Sequence, residues 1–217
     1  MRCDDAARTA DALRIEPVAQ APDAVARAIA ELHALALPDD VLPALGIPFL
    51  ACYHTAVLRD ATQFLIGAWR AERLVGFCQL SFSSARVGPM LKANPSAWLP
   101  ILRLAVAKPL VLWRGTQLAR IRPPAVATWP EVTFIAVHPA AQGAGVGTAL
   151  VRAANAEADR RGCRRAFTKT SNPAARRLYE VAFAAQVVTT VTAARQTYWY
   201  LAWGTSPAGD GAPHVPA

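Results

Sequence analysis

The sequence predicts a mixed α/β domain: one sheet flanked by helices, with a helical insertion between its third and fourth strands. Three observations carry that prediction. Hydrophobic residues make up 53% of the 217-residue chain, enough for a sizeable core and well outside the disordered range. Strand-like apolar runs and helically spaced apolar residues follow one another in the order βααββ, insertion, βαβαββ. A β-branched apolar run, "EVTFIAVHP" at 131–139, leads into three glycines and a helix start, a strand–loop–helix unit.

Taken in order, "LRIEPV" (13–18) reads as the first strand. "APDAVARAIAELHALAL" (21–37) reads as a helix, because Val25, Ile29 and Leu32 recur at helical spacing and Asp23 falls in its first turn. "IPFLACYHTAVLRD" (47–60) reads as a second helix, with Pro48 in the first turn where a missing N–H costs nothing. "QFLIGAWR" and "RLVGFCQLSF" flank Ala71-Glu72 as a hairpin whose turn lacks the Asn-Gly signature. Residues 84–128 break the pattern with a basic, apolar segment rich in proline and tryptophan. After the 131–139 run come a helix over about 146–161, a strand "RRAFTKT" (164–170) and a helix "PAARRLYEVAF" (173–183). Two strands near 186–193 and 196–203 close the domain, which spans 12–203. Residues 1–11 read as a loose lead-in, and 204–217 as a disordered Gly/Pro/Ala tail with nothing to bury.

Composition narrows the function classes. The net charge is +8 and is carried by arginine, the lysines being Lys92, Lys108 and Lys169. That suits an anionic partner, or reflects a general Ala/Arg bias in the source genome. The arginines are dispersed, and neither a helix-turn-helix nor an aromatic stacking motif accompanies them, so nucleic acid is not expected. Cys3, Cys52, Cys78 and Cys163 lack metal-ligand spacing, so neither a metal site nor a disulfide framework is expected. The N-terminal stretch has no apolar signal core, which predicts a cytoplasmic protein. "AWLPILRLAVAKPLVLW" (97–113) is strongly apolar, but Arg103, Lys108, Pro100 and Pro109 interrupt it too often for a spanning helix.

The chemistry concentrates at "HPAAQGAGVGTAL" (138–150). Strand, glycine loop and helix start together make an anion site, because first-turn amides are unpaired and the helix dipole is positive there. A P-loop is excluded, since no Gly-Lys-Ser/Thr follows, and the dinucleotide pattern G-x-G-x-x-G is absent. What stands there is Gln-x-x-Gly-x-Gly: Gln142, Gly145, Gly147. With "SNPAARRLYE" further on, matching Asn-x-x-Ala-x-x-Leu-Tyr-Glu, the chain resembles the GNAT N-acetyltransferase superfamily over residues 131–183. The resemblance implies a largely antiparallel sheet and acetyl-CoA as donor. It implies that the exposed backbone of Ile135, Ala136 and Val137 holds the pantetheine. The pyrophosphate is then expected on the amides of Gln142, Gly143, Ala144, Gly145, Val146, Gly147 and Thr148, with Gly143 a permissive spacer. Asn172, opening the second signature, joins the expected cofactor site.

For catalysis the resemblance implies Tyr179 as the general acid that protonates the leaving thiolate. Glu131, at the start of the strand, is the expected base; strict alternation puts it on one face with Thr133, Ile135 and Val137. His138 reads as structural, and His33 and His54 as partly buried scaffold. Two departures stand out. The second signature commonly ends Tyr-Glu-x-x-Gly-Phe, whereas this chain has "YEVAFAAQ", so the turn after Phe183 is expected to differ. A subset resembling antibiotic acetyltransferases has Leu-Glu-Thr-Ser-Asn-Pro where this chain has "FTKTSNP", putting Lys169, read as a solvated strand end, in place of an acid.

The acceptor implied is a primary amine of a small molecule: an amino sugar, an amine metabolite or an aminated antibiotic. The alternatives are a protein N-terminus or lysine, and a non-catalytic acyl-CoA-binding module. The 84–128 insertion is expected to line part of a hydrophobic or carbohydrate acceptor pocket, to extend the core, or to make a subunit or peripheral membrane contact, and the chain to be a monomer or homodimer.

Overall fold

The computed structural model describes residues 12–18, 23–83, 91, 95–193 and 195–205. Seven strands form one sheet in the order β1-β2-β3-β4-β5-β7-β6. They are β1 Arg14–Pro17, β2 Gln63–Arg70, β3 Arg73–Ser81, β4 Glu131–Val137, β5 Arg165–Thr170, β6 Gln186–Ala193 and β7 Gln196–Gly204. Every neighbouring pair is antiparallel except β4–β5, which is parallel. The helices are α1 Asp23–Ala36, α2 Ile47–Arg59, α3 Trp98–Ala107, α4 Pro109–Arg120, α5 Val146–Arg160 and α6 Pro173–Phe183. The mixed, largely antiparallel sheet flanked by helices is therefore the expected one, and the insertion is helical.

Alternation along β3 divides the core. Cys78 and Leu80 face α5 and α6, in a cluster with Leu150, Val151, Ala154 and Tyr179. Phe77 faces the other way, with Ile29 of α1, Phe49 and Tyr53 of α2, and Leu104 of α3. The insertion thus completes the α1/α2 layer, and its exit covers the far end of the sheet, where Val126 packs on Phe167 and Tyr200.

Several local features differ from the sequence reading. Ala71 and Glu72 both take positive φ, 43° and 63°, so the hairpin closes through a primed turn without glycine. After α6 the left-handed residue is Ala184 (φ 50°), and the Ala185 N–H reaches back to the Tyr179 carbonyl at 3.1 Å. Phe183 stays helical and the chain turns one residue later, with alanine at a position that favours glycine. At the C-terminal end β7 runs to Gly204, and Thr205 bonds to Arg164 and Cys163, past the boundary predicted at 203. The lead-in at 1–11 and the tail from 206 lie outside the described residues.

Candidate active site

The central feature is a fork in the sheet. β4 and β5 pair only at Glu131↔Phe167 and Val132↔Thr168. The Thr168 hydroxyl donates to the Val132 carbonyl at 2.8 Å, the last link before the strands part. β4 continues along β3 to Val137. On its β5 side, the backbone of Ile135, Ala136 and Val137 has no ladder partner. A parallel pair that stops after two rungs leaves donors and acceptors looking for an extended ligand.

The loop after β4 is held by its own side chains. His138 Nδ1 accepts from the Ala140 N–H at 3.2 Å, and Gln142 Nε2 donates to the Val137 carbonyl at 3.2 Å. Gln142 therefore pins the loop to the strand end, a positioning task for its side chain. Gly143 and Gly145 both sit at φ 77°, and a Cβ on either would meet nothing within 4 Å. Both are glycines by conformation, so Gly143 is more than a spacer. Gly147 has ordinary helical backbone; a Cβ there would lie 3.0 Å from Leu178 Cδ1. Its smallness lets α5 approach α6. Gly145 caps α5 without any side-chain bond, so the amides of Val146, Gly147 and Thr148 stay available beside Ala144 and the two left-handed glycines.

Tyr179 comes from α6, whose N-terminus is capped by Asn172: its Oδ1 accepts from Ala174 N–H at 2.8 Å and more weakly from Ala175 N–H. That engagement gives Asn172 a structural task beside the ligand role expected of it. The Tyr179 ring is 1% exposed and stacks on Trp203, centroids 5.0 Å apart. Its hydroxyl is buried beside Cys78 and Thr168 and makes no hydrogen bond of acceptable geometry. Burial pushes its pKa well above the ordinary phenol value, so it holds its proton. The same burial pushes the Cys78 thiol up to about 12, leaving it inert.

Glu131 sits differently from the alternation reading. The β3–β4 register slips at Gln79/Leu80, where Thr133 is the extra residue of a bulge. Glu131 is therefore opposite Ser81, on the α1/α2 face, while Ile135 and Val137 are opposite Cys78 and Gly76, on the α5/α6 face. Glu131 is buried, and Lys169 Nζ lies 3.1 Å from its Oε1. Lys169 is thus a paired cation rather than a solvated strand end. Tyr179 and Glu131 flank the closed end of the fork from opposite faces.

The Acetyltransferase (GNAT) family model matches residues 27–183. The chain belongs to the GNAT acetyltransferase family. No curated protein sequence matches it. Among solved structures it is similar to aminoglycoside 6'-acetyltransferase type Ii, with TM-score 0.58 and 13% identity over 90% of this chain and 99% of that one. The polyamine N-acetyltransferase of Drosophila melanogaster gives 0.57 at 13% identity, covering 89% and 100%. The ribosomal-protein-alanine N-acetyltransferase of Escherichia coli gives 0.53 at 15%, covering 94% and 100%. These likenesses show the fold. Enzymes of the GNAT family use acetyl-CoA as co-substrate.

The α1/α2 face of this GNAT enzyme carries polar groups that the sequence reading missed. Gln79 Nε2 donates to Tyr53 Oη and to Gln63 Oε1, both at 3.1 Å, and Ser81 Oγ meets Thr133 Oγ1 at 2.7 Å. Their signal was available: Gln79 and Ser81 stand at alternate positions of an apolar strand, the polar side of a period of two. Nearby, Arg114 of α4 donates to the Asp39 carbonyl at 2.6 Å and to Gln196 Oε1 at 2.8 Å. Gln196 in turn donates to Ser171 Oγ at 2.8 Å, at the mouth of the fork. Burial raises the Tyr53 phenol, and the carboxylates of Asp40 and Glu131 push it the same way. Burial also pushes Tyr200 up to about 12, with Glu131 again contributing.

His33 and His54 are fully buried rather than partly so. His33 Nδ1 and His54 Nε2 share a hydrogen bond at 3.1 Å, and the other His33 nitrogen lies 3.7 Å from Asp40. Burial, then the neighbouring His33, holds His54 well below the ordinary imidazole value, so it is neutral.

Proposed function

We propose that the chain is an acetyl-CoA-dependent N-acetyltransferase acting on a primary amine of a small molecule. The carrying observation is the fork, with a proton-holding, unpartnered phenol at its closed end. The residues present fit the cofactor: a β4 edge without a ladder partner at Ile135, Ala136 and Val137, whose last carbonyl Gln142 engages, first-turn amides of α5 that no side chain caps, left-handed Gly143 and Gly145 beside open space, and an orphaned hydroxyl. Acetyl-CoA supplies the activated acetyl group. The β4 edge and the loop amides bind and orient it, the left-handed glycines giving its phosphates access to N–H groups. Tyr179 holds a proton where a leaving thiolate needs one. Glu131, on the acceptor face, takes the proton that the attacking amine loses, and Lys169 fixes the carboxylate's position.

The acceptor enters from the α1/α2 face. Arg114 ties the loop after α1 to β7 across this side, which favours a compact acceptor over a polypeptide. Acetyltransferases of this fold whose acceptors are an aminoglycoside, a polyamine and a ribosomal protein are all among the similar structures, so fold alone does not choose. The test is thiol release from acetyl-CoA across a panel of polyamines, amino sugars and short peptides. Turnover with a small amine and none with peptides supports the reading; turnover with peptides alone overturns the acceptor assignment.

A further inference from the structure

Six large apolar side chains stand exposed on the insertion: Trp98, Leu99, Leu102 and Val106 on α3, Leu110 and Trp113 on α4, between 49% and 86%. Leu99, Leu102 and Val106 follow helical spacing and form one outward stripe. The inward side of the same helices is already used, with Leu104, Ile101, Val111 and Leu112 in the core. A helix folds on one apolar face; the second needs another reason. Arg103 and Lys108 stand exposed among these residues, and neither has an ion-pair partner among the described residues. Residues 73–130 contain eight arginines and lysines and no aspartate or glutamate at all.

We propose that the outer face of α3 and α4 docks on an anionic phospholipid bilayer, lying in its headgroup region. The two tryptophans have the amphipathic rings that settle at that depth, and Arg103 and Lys108 lay apolar stems along it while meeting phosphates. Charge decides between occupants. A second copy packed by the same face would bring these cations together, and the segment has no carboxylate to pair with them. A nucleic acid backbone would match the cations and leave the Leu/Val stripe facing phosphates. The contact is peripheral, because no helix among the described residues is long and apolar enough to cross a membrane.

The test is co-sedimentation of the full chain with vesicles of phosphatidylcholine alone, or with about one-third phosphatidylglycerol. Binding is expected on the anionic vesicles, falling steeply with added salt. R103Q and K108Q should each weaken it about fivefold, and L102E or V106E by more than about tenfold. All four positions are exposed, so thermal melts should stay close to wild type, which the same preparations check. Absence of binding to phosphatidylglycerol vesicles overturns the proposal, as does binding that all four variants leave unchanged. A dimer in light scattering that L102E dissolves, without vesicle attachment, assigns the face to a second copy instead.

Discussion

The phenol at the fork makes stability and activity move in opposite directions. Tyr179→Phe keeps the ring, its stack on Trp203 and the contact with Phe183, and deletes only an oxygen that is buried without a hydrogen bond. A buried polar group left unpaired costs about 1–3 kcal/mol. Its removal should therefore stabilise the free protein by about 1–2 kcal/mol, a rise of roughly 2–8 °C in Tm for a chain of this size. On the proposed mechanism the same change removes the proton donor for the leaving thiolate, so thiol release with a good amine should fall by about two orders of magnitude or more. Calorimetry without acetyl-CoA and a thiol assay with it read the two effects separately. The phenol's pKa is raised, so it stays protonated and competent throughout the neutral range. It leaves stability unchanged below about pH 10 and lowers it as pH climbs beyond that, because the unfolded chain ionises this tyrosine while the folded one resists. A variant that melts lower than wild type and still turns over would refute the reasoning, because the hydroxyl would then be a structural partner of Thr168.

Four further outcomes follow from the same geometry. Ala184→Gly should raise stability by about 1 kcal/mol in urea titration, since Ala184 holds a left-handed φ of 50° at the end of α6. Gly145→Ala should cost about 1–2 kcal/mol of stability through its φ of 77° alone and weaken acetyl-CoA binding by calorimetry, as no neighbour obstructs the new Cβ. Lys169→Met should destabilise more than Glu131→Gln, by about 1–3 kcal/mol, because it strands the more buried partner: the side chains are 25% and 10% exposed. Unfolding at several pH values should show full stability above about pH 6.5 and a loss of up to about 1.4 kcal/mol per unit below it, as the unfolded chain protonates His54 while the folded one resists.

Much of the fold was legible because its elements are locally consistent. α6 is the clearest case: Asn172 caps it, Pro173 opens it, and Ala175, Leu178, Tyr179 and Phe183 fall on one side, so its limits follow from residue types. The glycine loop was legible for a similar reason, although which glycine does what was not. Gly143 and Gly147 differ only in φ and in what stands near a missing Cβ, and neither appears in the letters. Nor did Lys169 announce its partner. Residue 131 is 38 positions away in sequence, and only the two-rung parallel pairing of β4 with β5 brings the charges together.

The bulge at Thr133 is the feature that most changes the chemistry. With unbroken alternation Glu131 would share the face of Ile135 and Val137 and point toward α5 and α6, where it would be buried among Leu150 and the other apolar side chains of that layer. An unpaired carboxylate there would be prohibitively costly, and donor and acceptor would compete for one side of the sheet. One extra residue turns Glu131 to the α1/α2 face, where Lys169 pairs with it, and leaves Ile135 and Val137 directed at α5. In the proposed reaction the same short strand offers its backbone edge to the cofactor and its first side chain to the acceptor. Tyr179 meets it from the opposite side of the fork. On this view the bulge matters to catalysis as much as either side chain. Any change that restores simple pairing between β3 and β4 should abolish amine deprotonation while leaving acetyl-CoA binding in place, a separation that equilibrium binding and thiol release measured together would expose.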